Sequence, residues 1–225
     1  MKKLILSLGI FVFASAFVFF GSTTNATNLN FVESFYANAS DTKLKPEETT
    51  GTYSLDKAHS SIGFRVRHMG LVDVPGYFRD FSGTIKYDGK DVSKSSVEFS
   101  AKMESVDTGV AGRDKHLKTA DFFEVEKYPE MTFKSTKVEK KGKNWIVTGD
   151  LTMKGVTKSL SIPFTVVDII KDQRGGTKMG VMAETVINRR DFGVNYGSNM
   201  PNGVAMLSDN ITVVLNLESN MQKAQ

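Results

Sequence analysis

Apolar and polar residues alternate along most of the chain from Tyr53 onward, and a period of two predicts β-strands. The alternation is clearest in segments 62–67, 97–104 and 211–218. Turn-prone pairs such as Asp88-Gly89 and Lys154-Gly155 separate further candidate strands, at 78–87, 131–138, 145–152, 160–170 and 178–188. The pattern therefore predicts about eight antiparallel strands, each with one apolar face and one mostly polar face.

One segment departs from this pattern. Residues 108–119 lack alternation and contain good helix formers, and Val110, Arg113 and Leu117 fall on a similar helical face, which predicts a short connecting helix. An all-β chain with short connections and one helix leaves two architectures, a sandwich or a closed barrel. Closure removes exposed sheet edges, and a barrel of about eight strands is either filled by its side chains or holds one small ligand.

The function depends on whether the interior of such a barrel is filled by side chains or forms a pocket. Strand parity predicts an inward face that is apolar and rich in aromatic residues: Phe64, Val66, Phe99, Met131, Phe133, Ile162, Phe164, Val181, Val213 and Leu215. These side chains can fill one another's space as in any β core, or they can line a pocket. Periodicity alone favours the filled core.

The N-terminus has the layout of a secretory signal. Lys2 and Lys3 precede an apolar run at 4–20, and small residues follow up to Ala26. We expect cleavage after Ala26, with an uncleaved anchor as the alternative because the apolar run is slightly long. The predicted organisation is a signal peptide at 1–26, a polar linker at 27–51, one domain at 52–220 and a tail at 221–225.

Composition and charge exclude several classes of protein. The absence of cysteine excludes disulfide scaffolds, thiolate metal sites and cysteine nucleophiles. Without Lys2 and Lys3, 27 basic residues face 25 acidic ones, a net charge of +2 that is too balanced for a dedicated nucleic-acid binder. The sequence has no Gly-x-Ser-x-Gly motif, phosphate loop or dinucleotide fingerprint. We therefore expect neither a cofactor nor an enzyme.

The three histidines, His59, His68 and His116, lie in separate segments with no metal-ligand spacing. Were the chain an enzyme acting on a lipid or quinone precursor, these would be its candidate acids and bases. His68 shares the apolar face of its strand, where it is either a hydrogen-bonded rim residue or a ligand contact. The charged runs 113–116 and 188–193 are either ion-paired structural elements or a basic mouth that grips an anionic head.

The amino-acid sequence of these segments resembles that of the YceI-like family of lipid-binding proteins. The first motifs are Tyr53-x-Leu55-Asp56-x-x-His59-Ser60-x-Ile62-x-Phe64, Val66-x-His68-x-Gly70 and Gly76-x-Phe78-x-x-Phe81-x-Gly83. They continue in the family's order with Ser105-Val106-x-Thr108, Arg113-Asp114-x-His116-Leu117, Asp121-Phe122-Phe123, Tyr128-Pro129-x-Met131-x-Phe133, Gly149-x-Leu151-Thr152-x-x-Gly155-Val156-Thr157 and Ile187-Asn188-Arg189-x-Asp191-Phe192-Gly193. The resemblance spans about Tyr53 to Glu218.

The resemblance implies an extended, eight-stranded, lipocalin-like antiparallel barrel that binds a polyisoprenoid or similar long-chain amphiphile, usually in the periplasm. From strand parity and family position, the residues expected to line the tail site are Phe64, Val66, Phe99, Phe133, Phe164 and Ile187. Those expected near the polar head are His68, Arg113, His116, Asn188 and Arg189. Transient membrane contact and a homodimer are left open, and a surface-interaction domain with a filled core is the further alternative.

Overall fold

A computed structural model describes residues 43–142 and 144–223, so the predicted signal segment and most of the predicted linker lie outside the described residues. The strands are β1 (Gly51–Leu55), β2 (Ser61–His68), β3 (Val72–Phe78), β4 (Phe81–Tyr87), β5 (Ser96–Lys102), β6 (Val106–Asp107), β7 (Glu130–Lys141), β8 (Asn144–Met153), β9 (Val156–Lys171), β10 (Thr177–Asn188) and β11 (Leu207–Met221). The helices are α1 (Pro46–Thr49) and α2 (Ala111–Leu117), with 3-10 turns at Val92–Lys94, Met103–Ser105 and Arg189–Phe192.

The strands form one closed antiparallel barrel, as predicted. Eight strands follow one another around the ring in the order β1-β4-β5-β7-β8-β9-β10-β11, and β11 closes it by pairing with β1. The long β11 also pairs with β2, which continues through β3 to β6. Closure leaves β11 hydrogen-bonded to β10 on one side and to β1 and β2 on the other, so this strand has no free edge along these pairings.

One predicted strand, the predicted helix and the predicted linker need correction. The segment predicted as one strand at 78–87 is divided at Arg79 and Asp80, where the chain passes from β3 to β4. The predicted helix at 108–119 is shorter, because Gly109 has a φ of 77° and Val110 is still extended, so α2 begins at Ala111. In addition, α1 and the start of β1 occupy the last residues of the predicted linker, where Thr49 is buried.

One end of the barrel is closed by packing, and we call it the closed end. Tyr53 on β1 is fully buried, and its hydroxyl donates to the carbonyl oxygen of Thr49 at 2.7 Å. The ring of Tyr87 meets Tyr53 edge-on, with ring centroids 6.4 Å apart. Burial, and secondarily the neighbouring Tyr87, raises the pKa of Tyr53 to about 12, so its hydroxyl stays protonated.

The opposite end, which we call the mouth, is built from three segments. These are the turn between β2 and β3, helix α2, and the loop 193–206 that leads into β11. The amide of Met69 in the turn donates to Met206 in the loop at 2.9 Å. The loop also contacts α2, because the ring of Tyr196 lies edge-on to that of His116 at 4.9 Å. Nothing in segments 43–142 and 144–223 is a helix long and apolar enough to cross a bilayer.

Candidate functional site

The barrel is hollow. Its interior holds a cavity of about 480 Å³, within the range typical of small-ligand pockets. All ten side chains predicted to face inward line this cavity, so the parity prediction is confirmed. The filled core that periodicity alone favours is wrong, because the inward side chains do not meet across the middle.

The six residues predicted for the tail site all lie on the cavity wall. They come from five strands: Phe64 and Val66 from β2, Phe99 from β5, Phe133 from β7, Phe164 from β9 and Ile187 from β10. Phe99 and Phe133 are direct partners across β5 and β7. Opposite residues of an antiparallel pair point to the same face, so this pair forms a continuous aromatic patch.

Two glycines allow the aromatic rings to lie flat against the wall. A Cβ atom at Gly76 would come within 2.2 Å of the ring of Phe64, its partner across β2 and β3. A Cβ atom at Gly149 would lie 2.6 Å from the ring of Phe133 and 2.5 Å from the backbone oxygen of Lys134. Close packing of aromatic rings over strand glycines explains why these positions carry no side chain.

Three of the predicted head residues line the mouth of the cavity. His68 is half-buried at the end of β2, and its ring makes no hydrogen bond within the described part of the chain. Arg113 is exposed on α2, and its guanidinium donates to the hydroxyl and carbonyl oxygens of Thr108. The Nε2 atom of His116 lies 2.8 Å from a carboxylate oxygen of Asp121. The mouth therefore presents polar groups above an apolar interior.

The other two predicted head residues have structural partners. Arg189 lines the cavity but is buried, and it donates to Ser208, Val194 and Asp209. Burial and the nearby Arg190 lower its pKa despite the opposing effect of Asp209.

Asn188 is not among the cavity-lining residues, and its side-chain oxygen accepts from the amide of Arg190 at 2.9 Å. The contacts of Asn188 and Arg189 hold the 3-10 turn at the end of β10. Neither of these two side chains is therefore free to bind the polar head of a ligand.

His59 lies away from the cavity, at the outer turn between β1 and β2. Its Nδ1 atom is 3.1 Å from the carboxylate of Asp56, and the hydroxyl of the next residue, Ser60, bridges to the backbone of Glu218 on β11. Asp56, His59 and Glu218 are close enough together to suggest a metal, but the ammonium of Lys178 lies 2.6 Å from Glu218 and 3.8 Å from Asp56. Ion pairing accounts for this cluster, which ties β10 and β11 to the turn between β1 and β2.

Sequence periodicity missed the lining contributed by loops and turns. Tyr87 and Val92 cover the closed end, while Phe122, Tyr196 and Met206 lie toward the mouth. Apart from Tyr87, the last residue of β4, these residues belong to turns and irregular segments, where no alternation relates one side chain to the next. The adjacent phenylalanines 122 and 123 were the one signal, since two large apolar residues in a predicted loop need a surface to cover.

A closed eight-stranded antiparallel barrel with an apolar cavity, one closed end and a polar mouth has lipocalin-like architecture. Barrels of this class have room for one small ligand. Residues 53–219 match the YceI-like domain. The chain belongs to the YceI-like family.

Individual relatives agree with this assignment. The chain is 36% identical over 173 residues to Protein YceI of Escherichia coli O17:K52:H18, covering 76% of this chain and 87% of that protein. It is similar to the crystal structure of the Campylobacter jejuni YCEI protein, with 32% identity, a TM-score of 0.60 and coverage of 75% and 97%. A polyisoprenoid binding domain from Saccharophagus degradans shares the fold at 18% identity and a TM-score of 0.55, with coverage of 76% and 98%.

Proposed function

We propose that the protein is an exported binding protein that holds a polyisoprenoid or a similar long-chain amphiphile, with the tail in the cavity and the polar end at the mouth. The observation that carries the proposal is the asymmetry of the cavity. Most of its wall is apolar and its far end is closed by tyrosines, with Ser95 and Ser96 as neutral polar neighbours. All of its basic lining residues lie at the opening: His68, Arg113, His116 and Arg189. The Saccharophagus domain, described as binding a polyisoprenoid, supports the same class of ligand.

Desolvation of the tail drives this binding. Each buried methylene is worth roughly 0.8 kcal/mol, so a five-carbon isoprene unit contributes on the order of 3–4 kcal/mol before ordering costs are subtracted. A few units suffice for tight binding. Branched methyl groups fit an irregular lining of aromatic and aliphatic side chains better than a flat surface, and the lining of Phe, Val, Ile, Leu and Met has that irregular form.

The head site that we propose is smaller than the one expected from sequence. His68 and Arg113 are its principal groups, because the ring of His68 makes no hydrogen bond within 43–142 and 144–223, and Arg113 binds only neutral oxygens of Thr108. His116 contributes through an imidazole already oriented by Asp121. An arginine without a carboxylate partner favours a head that accepts hydrogen bonds, such as a phosphate or a quinone carbonyl.

A binding role is better supported than an enzymatic one. General acid–base catalysis needs two groups within hydrogen-bond reach of the reacting atoms. His59, one of the three candidate histidines, lies outside the cavity and is held by Asp56. The predicted signal segment, which lies outside the described residues, supports export to the periplasm or the medium, and the intact mass of the exported protein tests cleavage after Ala26.

The test compares two variants that add the same ring on opposite faces of neighbouring strands. Ala183→Phe projects from β10 into the cavity, whereas Thr165→Phe projects outward from β9. We expect mass spectrometry of the organic extract to find a long-chain lipid with the unsubstituted protein and with Thr165→Phe. With Ala183→Phe the extract should contain at least about fivefold less lipid, because the added ring occupies tail volume. Equal lipid in both variants would refute the proposed site.

A further inference from the structure

The exposed apolar side chains of this protein are concentrated at one place. Seven large apolar residues in the described part of the chain are exposed, and five of them surround the mouth. We call these five the apolar rim: Leu71, Val72, Val110, Tyr196 and Val204. The other two are Ile170, near the closed end, and Val186, on the outer wall of β10. Scattered single residues would need no explanation, but a ring at a cavity opening does.

The rim is held in place by the backbone. The amide of Leu71 donates to the carbonyl of His68 at 2.9 Å, and Met69 and Gly70 adopt left-handed conformations with φ of 51° and 73°. This tight turn projects Leu71 outward, where it is 74% exposed. The turn also contacts the loop, since a Cβ atom at Gly70 would lie 3.3 Å from Cγ1 of Val204.

The rim continues the lining of the cavity. Val72 pairs with His68, and Val74 pairs with Val66, so both valines share the inner face of β3. His68, Val66 and Val74 line the cavity, as does the rim residue Tyr196. The apolar rim therefore adjoins the apolar lining of the cavity along β3 and at Tyr196, beside the polar groups of the mouth.

We propose that the apolar rim docks onto the surface of a lipid bilayer, so that the mouth faces the membrane and a tail passes between bilayer and cavity without crossing water. This inference rests on the proposed function. A tail leaving into water would lose the desolvation energy of every methylene at once, whereas a mouth in contact with the acyl region avoids that loss. A second copy of the chain is the less suitable occupant, because two rims face to face would seal both cavities.

The charges around the mouth indicate how the docking works. The segments 67–73, 110–117 and 189–209 carry five cationic and four anionic side chains: Arg67, Arg113, Lys115, Arg189 and Arg190, and Asp73, Asp114, Asp191 and Asp209. Arg67 pairs with Asp73, and both arginines of the 3-10 turn pair with Asp209. Because these charges nearly cancel, attachment depends on insertion of apolar side chains rather than on anionic lipid.

The experiment uses flotation of the purified protein with phosphatidylcholine vesicles, with and without phosphatidylglycerol. Leu71→Asp disrupts the rim, and Ile170→Asp makes the same change at an exposed apolar residue near the opposite end. We expect Leu71→Asp to weaken vesicle binding at least about tenfold and Ile170→Asp to leave it within about twofold. Raising the salt to about 0.5 M should change the binding less than about twofold.

A spectroscopic measurement gives the orientation. Because the chain contains no cysteine, Leu71→Cys and Ile170→Cys can each carry one environment-sensitive fluorophore. We expect a blue shift on adding vesicles at position 71 and none at 170.

Lipid extracted from Leu71→Asp separates the two proposals. If this variant retains its cargo but both it and the unsubstituted protein bind vesicles equally, docking is refuted and the binding function stands. A concentration-dependent dimer that Leu71→Asp dissociates would assign the rim to a second copy and also refute docking. Absence of cargo in the unsubstituted protein would refute the proposed function instead.

Discussion

At the scale of single residues, Asp56 shows how a family motif serves the fold. Its carboxylate accepts from the amide of Ala58, from the ring of His59 and from Asn220 on β11. The hydrogen bond from His59, followed by the one from Ala58, outweighs the opposing effect of burial and lowers the pKa of Asp56 to about 2. The motif residues Asp56, His59 and Ser60 therefore join β1 and β2 to β11 and do not approach the cavity.

This lowered pKa predicts an acid-dependent loss of stability. Because the pKa of Asp56 is lower in the folded protein than in the unfolded chain, its contribution is fully present above about pH 5 and is lost as the pH falls toward 2. We expect Asp56→Asn to lower the free energy of unfolding by about 1–2 kcal/mol at pH 7, after allowance for partial exposure, and by progressively less below pH 5. Urea denaturation across this pH range measures the effect.

The matched control is Asp150→Asn on β8. The Asp150 carboxylate is exposed and forms no hydrogen bond or ion pair with a described residue, so its substitution should change the free energy of unfolding by less than about 0.5 kcal/mol at any pH. A pH-independent deficit for Asp56→Asn would mean that hydrogen-bond geometry, and not charge, is what the aspartate supplies.

Residue-level prediction from sequence succeeded where strand parity applies and failed where it stops. Phe64, Val66 and Phe133 could be placed on the inner face because successive side chains of a strand point to opposite faces. Asn188 and Arg189 could not, since the chain leaves β10 for a 3-10 turn at this point and both side chains are engaged by that turn. A charged motif at a strand end does not reveal which of its members are already partnered.

At the scale of elements, the β9 and β10 pair is divided. The ladder between them ends at Phe164 and Ala183, although both strands continue toward the mouth. The preceding residue of β9 is Pro163, which has no amide hydrogen to extend the ladder. Beyond this point β9 pairs only with β8, and β10 only with β11, within the described residues. The sequence shows that a long predicted strand contains a proline. It does not show which neighbouring strand loses the hydrogen bond.

The pairing of β2 with β3 makes a prediction about the cavity wall. Gly76→Ala would place a Cβ atom 2.2 Å from Cζ and 2.7 Å from Cε1 of Phe64, so the ring must move. The open direction is the cavity, and the displaced ring should occupy tail volume. We expect at least about threefold less bound lipid by mass spectrometry and a loss of stability of about 1–3 kcal/mol.

A second substitution tests whether the ring is responsible. Combining Gly76→Ala with Phe64→Leu removes the clash and should restore most of the lost stability, which is a coupling between neighbours that additive effects would not produce. Gly112→Ala in α2 is the control for the glycine change itself, because nothing lies within 4 Å of the added Cβ atom. Independent, additive effects of the two β2–β3 substitutions would contradict the packing argument.

At the scale of the whole molecule, the described barrel is a tube with one closed end, and under the proposed function this shape limits the length of the bound tail. A ligand that enters at the mouth can extend only as far as the side chains that cover the far end. Tyr87 lines that end of the cavity, and Tyr53 supports it from behind through an edge-on ring contact. Tyr53 is itself held by its hydrogen bond to Thr49 of α1, so the segment before β1 contributes to the closure.

The closed end should therefore set the longest tail that the protein accepts. Tyr87→Ala removes the lining ring and leaves Tyr53 in place, so we expect the mass distribution of extracted lipids to shift upward by about one five-carbon unit, at a stability cost of about 2–4 kcal/mol. Tyr87→Phe keeps the ring and should leave the distribution unchanged. Tyr77→Ala, which removes a tyrosine packed beneath the guanidinium of Arg79 and absent from the cavity lining, controls for the loss of an aromatic residue elsewhere in the barrel. If Tyr87→Ala and the unsubstituted protein carry lipids of the same length, the tail does not reach the closed end, and the mouth must select the ligand by its head alone.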